Sequence, residues 1–167
     1  EAEVNPDWLE WPKSLPPGVD ATPRAARGER ASQTAVYLWE SAAWIDGALN
    51  GTTDWEAFRR FGIDRILVSL DGRQIAEAAT PNGGKRLRVF LENARRHGLS
   101  VELLLGEPLW ILPGHRQDLL RIIQQLSGFD FDGLHLDLEP DQLDAKKYAR
   151  EYLLAQLLHT LQAAARV

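Results

Sequence analysis

Phe131-Asp132-Gly133-Leu134-His135-Leu136-Asp137-Leu138-Glu139-Pro140 decides the reading of this chain. Its residues alternate as in a β-strand. Leu134, Leu136 and Leu138 point one way, and His135, Asp137 and Glu139 point the other. Three ionisable groups in a row on one strand face are costly to desolvate. Such a row is expected where it lines a working cleft, so the end of this strand is the candidate active site.

Upstream, the same kind of unit recurs. Thr34–Trp39 reads as a strand, and Thr53-Asp54-Trp55-Glu56 resembles a capping box opening a helix that ends near Gly62. Ile63–Leu70 is the second strand. A helix from about 84 to 97 stops at Gly98, with Leu87, Phe90, Leu91 and Ala94 on its apolar side. Leu99–Leu105 is the third strand, followed by a helix over 117–126. The opening motif is the fourth strand, followed by a long helix over about 143–165. Four strands alternating with helices predict an α/β protein with a parallel sheet. The first strand-to-helix turn, Glu40-Ser41-Ala42-Ala43-Trp44, has no glycine-rich phosphate loop. That argues against a dinucleotide fold.

The strand ends favour a barrel instead. Glu40, Asp71, Glu107 and Glu139 stand at or just past the carboxyl ends of strands one to four, where catalytic groups gather in (βα)8 barrels. A complete barrel takes roughly 250 residues and eight strands. The expected fold is therefore the N-terminal half of a TIM (βα)8 barrel, four βα units over residues 34–167. Residues 1–33 hold five of the nine prolines and are expected to form an extended N-terminal arm or leader. The chain has no methionine and is read as a piece of a longer precursor.

Composition narrows the partners. A net charge of −5 argues against nucleic acid and anionic membranes, which call for a basic face. Without cysteine there are no disulfides or thiolate metal sites. No apolar run is long enough for a membrane span. Alternate residues of one strand rarely converge on one ion, so no metal is expected at His135, Asp137 and Glu139. No cofactor is expected either. An isolated half-barrel would expose two strand edges. Its expected partners are a missing second half-barrel or a second copy, paired through those edges.

Asp132-Gly133-Leu134-His135-Leu136-Asp137-Leu138-Glu139 resembles the Asp-Gly-x-Asp-x-Asp-x-Glu signature of family 18 glycoside hydrolases, the chitinase-like barrels. It is also similar to a strand of bacterial glycoside-hydrolase-like barrels of unassigned activity. The resemblance implies that Glu139 is the general acid, that Asp137 orients substrate or tunes the acid, and that Asp132 is structural. His135 departs from the signature, which has an aspartate there. This departure motivates an alternative: a non-catalytic carbohydrate-binding barrel that keeps the motif.

The residues support a sugar-cleaving reading on their own terms. Asp137 and Glu139 would stand about 6–7 Å apart at the backbone. Two carboxyls that close are expected to divide into one protonated and one ionised group, as glycoside hydrolysis requires. His135, one step deeper, is expected to bond Asp137. Trp39, Trp44 and Trp110 near the strand ends are candidate sugar platforms beside Glu40, Asp71 and Glu107. Trp55 is expected to be packing. His97, His115 and His159 are expected on solvated faces, and Asn82-Gly83-Gly84-Lys85 is expected to be a turn before a helix. A polysaccharide substrate would place the protein in the periplasm or outside the cell.

Overall fold

The computed structural model describes residues 34–167. The expected arm at 1–33 lies outside the described residues. The elements run β1 (Ala35–Leu38), α1 (Ala42–Asn50), α2 (Trp55–Arg60), β2 (Arg65–Ser69), α3 (Gly72–Ala78) and α4 (Pro81–Arg96). They continue through β3 (Ser100–Leu105), a 3-10 turn at Pro108–Ile111, α5 (Pro113–Leu126), β4 (Gly133–Leu136), a second 3-10 turn at Pro140–Gln142, and α6 (Arg150–Ala164).

The four strands form one parallel sheet in the order β1-β2-β3-β4. Each strand joins the side of the previous one, without the reversal that a doubly wound sheet shows at its switch point. The architecture is that of half a (βα) repeat fold.

Register sorts the residues by face. Tyr37 aligns with Leu67, Leu67 with Glu102, and Leu104 with His135. The intervening residues carry the core. Leu38, Ile66, Val68, Val101, Leu103 and Leu105 join Ile45, Trp55, Phe58, Phe90, Leu91, Leu119, Leu126 and Leu153 in one apolar cluster under the helices. Leu67 and Leu104 are 4% and 0% exposed yet stand outside that cluster. They belong to the other face, together with Tyr37, Arg65, Glu102 and His135.

Local chemistry sets the element ends. Gly62 and Gly98, which the sequence places at helix ends, both hold a positive φ, 66° and 78°. The expected capping box at 53–56 is replaced by a simpler cap: the Asp54 carboxylate accepts from Ala57 N at 3.2 Å and pairs with Arg60 at 2.8 Å. A complete capping box stands instead at Asp71 and Gln74. It opens α3, which the sequence reading did not foresee, as it did not foresee α1.

Asn82-Gly83-Gly84-Lys85 is not a turn but the first turn of α4, capped by Thr80 with Pro81 at its first position. A Cβ at Gly83 would run into the Glu77 carbonyl, and one at Gly84 would lie 3.0 Å from the Ala78 carbonyl. The two glycines let α3 and α4 touch. The final helix also starts later than expected. The Asp144 carboxylate accepts from Lys146 N at 2.9 Å and its carbonyl from Lys147 N and Tyr148 N, which fixes a turn before Arg150.

Buried Thr160 anchors α6. Its hydroxyl faces the carbonyls of Trp110 and Ile111, to which it donates, and accepts from Arg116 Nε at 2.8 Å.

Candidate active site at the carboxyl end of the sheet

Asp132 begins the motif as a clamp. Its backbone N donates to the Val101 carbonyl at 2.8 Å, and its carboxylate accepts from Val101 N at 2.7 Å. This holds β4 to β3 at the amino end. Gly133 follows because a Cβ there would lie 3.2 Å from the Glu102 side chain, which pairs with Arg65 at 3.1 Å on the same face.

His135 points onto the sheet face opposite the described helices. Its Nε2 lies 3.4 Å from Tyr37 Oη, and the rings meet edge to face at 5.6 Å. β1 and β4 are three strand spacings apart, about 14 Å in a flat sheet. The two side chains therefore lean toward each other across the sheet face that also carries Leu67 and Leu104. Tyr37 in turn stacks on Trp39 at 5.6 Å with 11° between the planes. Trp39 is 56% exposed. The expected bond from His135 to Asp137 is replaced by this contact with Tyr37.

The ladder runs one residue past β4, because Asp137 N donates to the Leu105 carbonyl at 2.9 Å. The alternation thus carries Asp137 onto the face of His135. Opposite it stands Gly106, where a Cβ would lie 3.0 Å from the Asp137 carbonyl and 3.4 Å from its Cβ. The absent side chain leaves space beside Asp137. Among the described residues the Asp137 carboxylate has no hydrogen bond or ion pair, though it is only half-buried. Glu139 lies at the exposed rim and opens the second 3-10 turn, where Gln142 Nε2 donates to its carboxylate.

The other candidate residues divide. Glu40 is exposed just after β1. Asp71 caps α3, and Glu107 caps the first 3-10 turn by accepting from Leu109 N at 3.1 Å. Those two carboxylates serve the backbone. Trp44 packs against Phe58 at 5.2 Å on the helix side, and Trp110 packs against the core. Of the three tryptophans, Trp39 is the one that shares a face with His135.

Trp55 is buried, as expected, and stacks on His97 at 5.5 Å. His97 is consequently no solvated residue: its Nδ1 donates to the Asn93 carbonyl at 2.8 Å. His115 and His159 are exposed.

Two contributors escaped the sequence reading. Tyr37 sits two residues before Trp39, in phase with it on β1, and that alternation is the signal that was available. Ser41 is buried. It donates to the Ser69 carbonyl at 2.5 Å and accepts from Gln74 Nε2 at 3.0 Å, which ties the ends of β1 and β2 to the start of α3.

Among the described residues no group of three or more His, Cys, Asp or Glu is placed to hold a metal ion. No helix of the described residues is long and apolar enough to cross a membrane. No protein-family model matches the chain, and neither the curated proteins nor the solved structures give a match.

Proposed function

We propose that this chain is the half-barrel of a glycoside-hydrolase-like TIM barrel that acts on a polysaccharide, with Glu139 as general acid and Asp137 as its partner. One observation carries the reading. Asp137 follows His135 on the sheet face opposite the described helices, at the same strand ends as an exposed tryptophan stacked on a tyrosine. A protonated carboxyl donates its proton to the departing glycosidic oxygen, an ionised carboxylate stabilises the positive charge left on the sugar ring, and indole faces bind sugar rings. In this scheme Glu139 leaves Gln142 to reach the glycosidic oxygen. Asp137, without a protein partner of its own among the described residues, faces the developing positive charge. Tyr37 holds the His135 ring, and Trp39 carries a sugar. A polysaccharide substrate places the protein in the periplasm or outside the cell.

The exposure of Glu139 and its bond to Gln142 favour a second reading, a carbohydrate-binding barrel without catalysis. The test is hydrolysis and binding of a panel of polysaccharides by the wild type, Glu139→Gln and Trp39→Ala. Loss of hydrolysis in Glu139→Gln with binding retained supports the enzyme. Binding that depends on Trp39, with no hydrolysis by any form, supports the binder. Neither binding nor hydrolysis by the wild type removes both.

A further inference from the structure

The sequence holds two Asn-Gly pairs, Asn50-Gly51 and Asn82-Gly83, and the fold guards only one of them. Such a pair is open to an internal reaction, because glycine puts no side chain over its own amide nitrogen and lets the backbone turn freely. That nitrogen attacks the side-chain carbonyl carbon of the asparagine. The N–Cγ bond forms, the Cγ–Nδ2 bond breaks, and ammonia leaves with the proton that the amide gave up. Water then opens the succinimide ring at either carbonyl, which yields aspartate or isoaspartate. Helical backbone at the asparagine keeps the nitrogen away from Cγ, so the reaction waits on local opening.

Asn50 is the last residue of α1, and Gly51 is its left-handed cap at φ 71°. Both are exposed, and a Cβ at Gly51 would meet nothing within 4 Å. The amides of Gly51 and Thr52 donate to one acceptor, the Gly47 carbonyl, the latter at 2.9 Å. Releasing that carbonyl frees the nucleophile and the last turn together, at a helix end of the kind that frays.

Asn82 is placed differently, at the second residue of α4 behind Pro81. The Gly83 amide donates to the Thr80 hydroxyl at 3.1 Å, and that hydroxyl donates to the Glu77 carbonyl at 2.7 Å. Gly83 is half-buried, with the same Glu77 carbonyl standing where its Cβ would be. Turning Gly83 to attack means breaking the cap and parting α3 from α4.

We propose that Asn50 is a site of spontaneous conversion to aspartate and isoaspartate, and that the Thr80 cap protects Asn82 from the same reaction. The product adds a negative charge at the C-terminal end of α1, where the helix dipole is negative as well. The inference is independent of the sugar reading.

Peptide mass spectrometry tests it, on protein held for days at mildly alkaline pH and compared with a fresh sample. Trypsin releases the two pairs on separate peptides, 31–59 and 74–85. The folded wild type is expected to gain isoaspartate at Asn50 at least about tenfold faster than at Asn82. In urea the two rates are expected to draw together. Thr80→Ala is expected to speed Asn82 several-fold and leave Asn50 unchanged. Asn50→Gln, which would need a larger ring, is expected to leave its peptide intact. Equal rates in the folded protein overturn the proposal, as does faster conversion at Asn82. A difference that persists in urea also overturns it, since the cause would then be the neighbouring residues and not the fold. A folded protein that stays intact at Asn50 while the urea sample converts does the same. An unchanged Asn82 rate in Thr80→Ala overturns the protective role of the cap.

Discussion

The two ends of the sheet are built from the same residue types and treat them differently. At the amino end, charges are engaged: Arg65 with Glu102, Arg95 with Asp130 at 2.7 Å, the Asp132 carboxylate with Val101 N, and Arg88 with the Gly128 carbonyl at 2.9 Å. At the carboxyl end Asp71 and Glu107 cap helical turns and Glu139 accepts from Gln142, but Asp137 has no such partner among the described residues, and beside it Tyr37 bridges His135 and the exposed Trp39. A carboxylate used to hold strands together is satisfied by the fold. One held by the fold but left unsatisfied is available to a ligand. The difference separates an engaged carboxylate from an unengaged one along a single strand, with Asp132 and Asp137 five residues apart.

Substitutions at the two ends should therefore fail differently. The largest effect is expected from Glu139→Gln: hydrolysis falls by about 10²–10⁴-fold, the usual contribution of a general acid, while the thermal midpoint stays near the wild type. Steady-state rates on a cleaved polysaccharide check it, and a rate within twofold of wild type would remove Glu139 from the mechanism. Next is Asp132→Ala, which strips the Val101 amide of its carboxylate partner. It should cost about 1–3 kcal/mol in urea unfolding and leave sugar binding intact. If binding changed and stability did not, the division between the two ends would collapse.

These two aspartates also show what was legible in the sequence. Alternation along 131–140 placed His135 and Asp137 on one face and the leucines beneath the helices, because strand geometry leaves no other choice once the strand is recognised. The parallel sheet followed from the spacing of the units. The partner of His135 was not legible. It comes from β1, 98 residues earlier, and no local pattern reports which side chains lean across a sheet. Nor were Asp71 and Glu107 separable from Glu139 by position. All three stand at strand ends, but only coordinates show the backbone amides that the first two accept. Gly83 and Gly84 misled for a related reason. Glycine marks a turn locally, yet here it marks the contact of two helices.

Smaller effects sharpen the comparison. Trp39→Ala should weaken oligosaccharide binding by about fivefold, from the loss of roughly 1 kcal/mol of stacking, with stability within about 0.5 kcal/mol of wild type. Isothermal titration beside a melt separates the two, and a large loss of stability would make Trp39 a packing residue. The smallest effect is at Asp54, in neither end of the sheet. Its hydrogen bond to Arg60 holds its carboxyl below the ordinary value of 3.8. A depressed folded pKa stabilises above the unfolded value and is lost as pH falls through the folded one. Wild type should thus lose a small increment of stability below about pH 4 that Asp54→Asn does not lose. Parallel melts from pH 6 to 2.5 would show it, and identical pH profiles would mean that the cap and its ion pair contribute nothing measurable.

The carboxyl end of the sheet is the proposed ligand face. Amide chemical-shift mapping of the protein titrated with short chitin and cellulose oligosaccharides tests this most directly. The prediction is that shifts gather at residues 37–41, 105–107 and 135–142. Shifts that gather at 127–133 and 64–66, around the paired charges of the amino end, or that appear nowhere along the sheet, would contradict it.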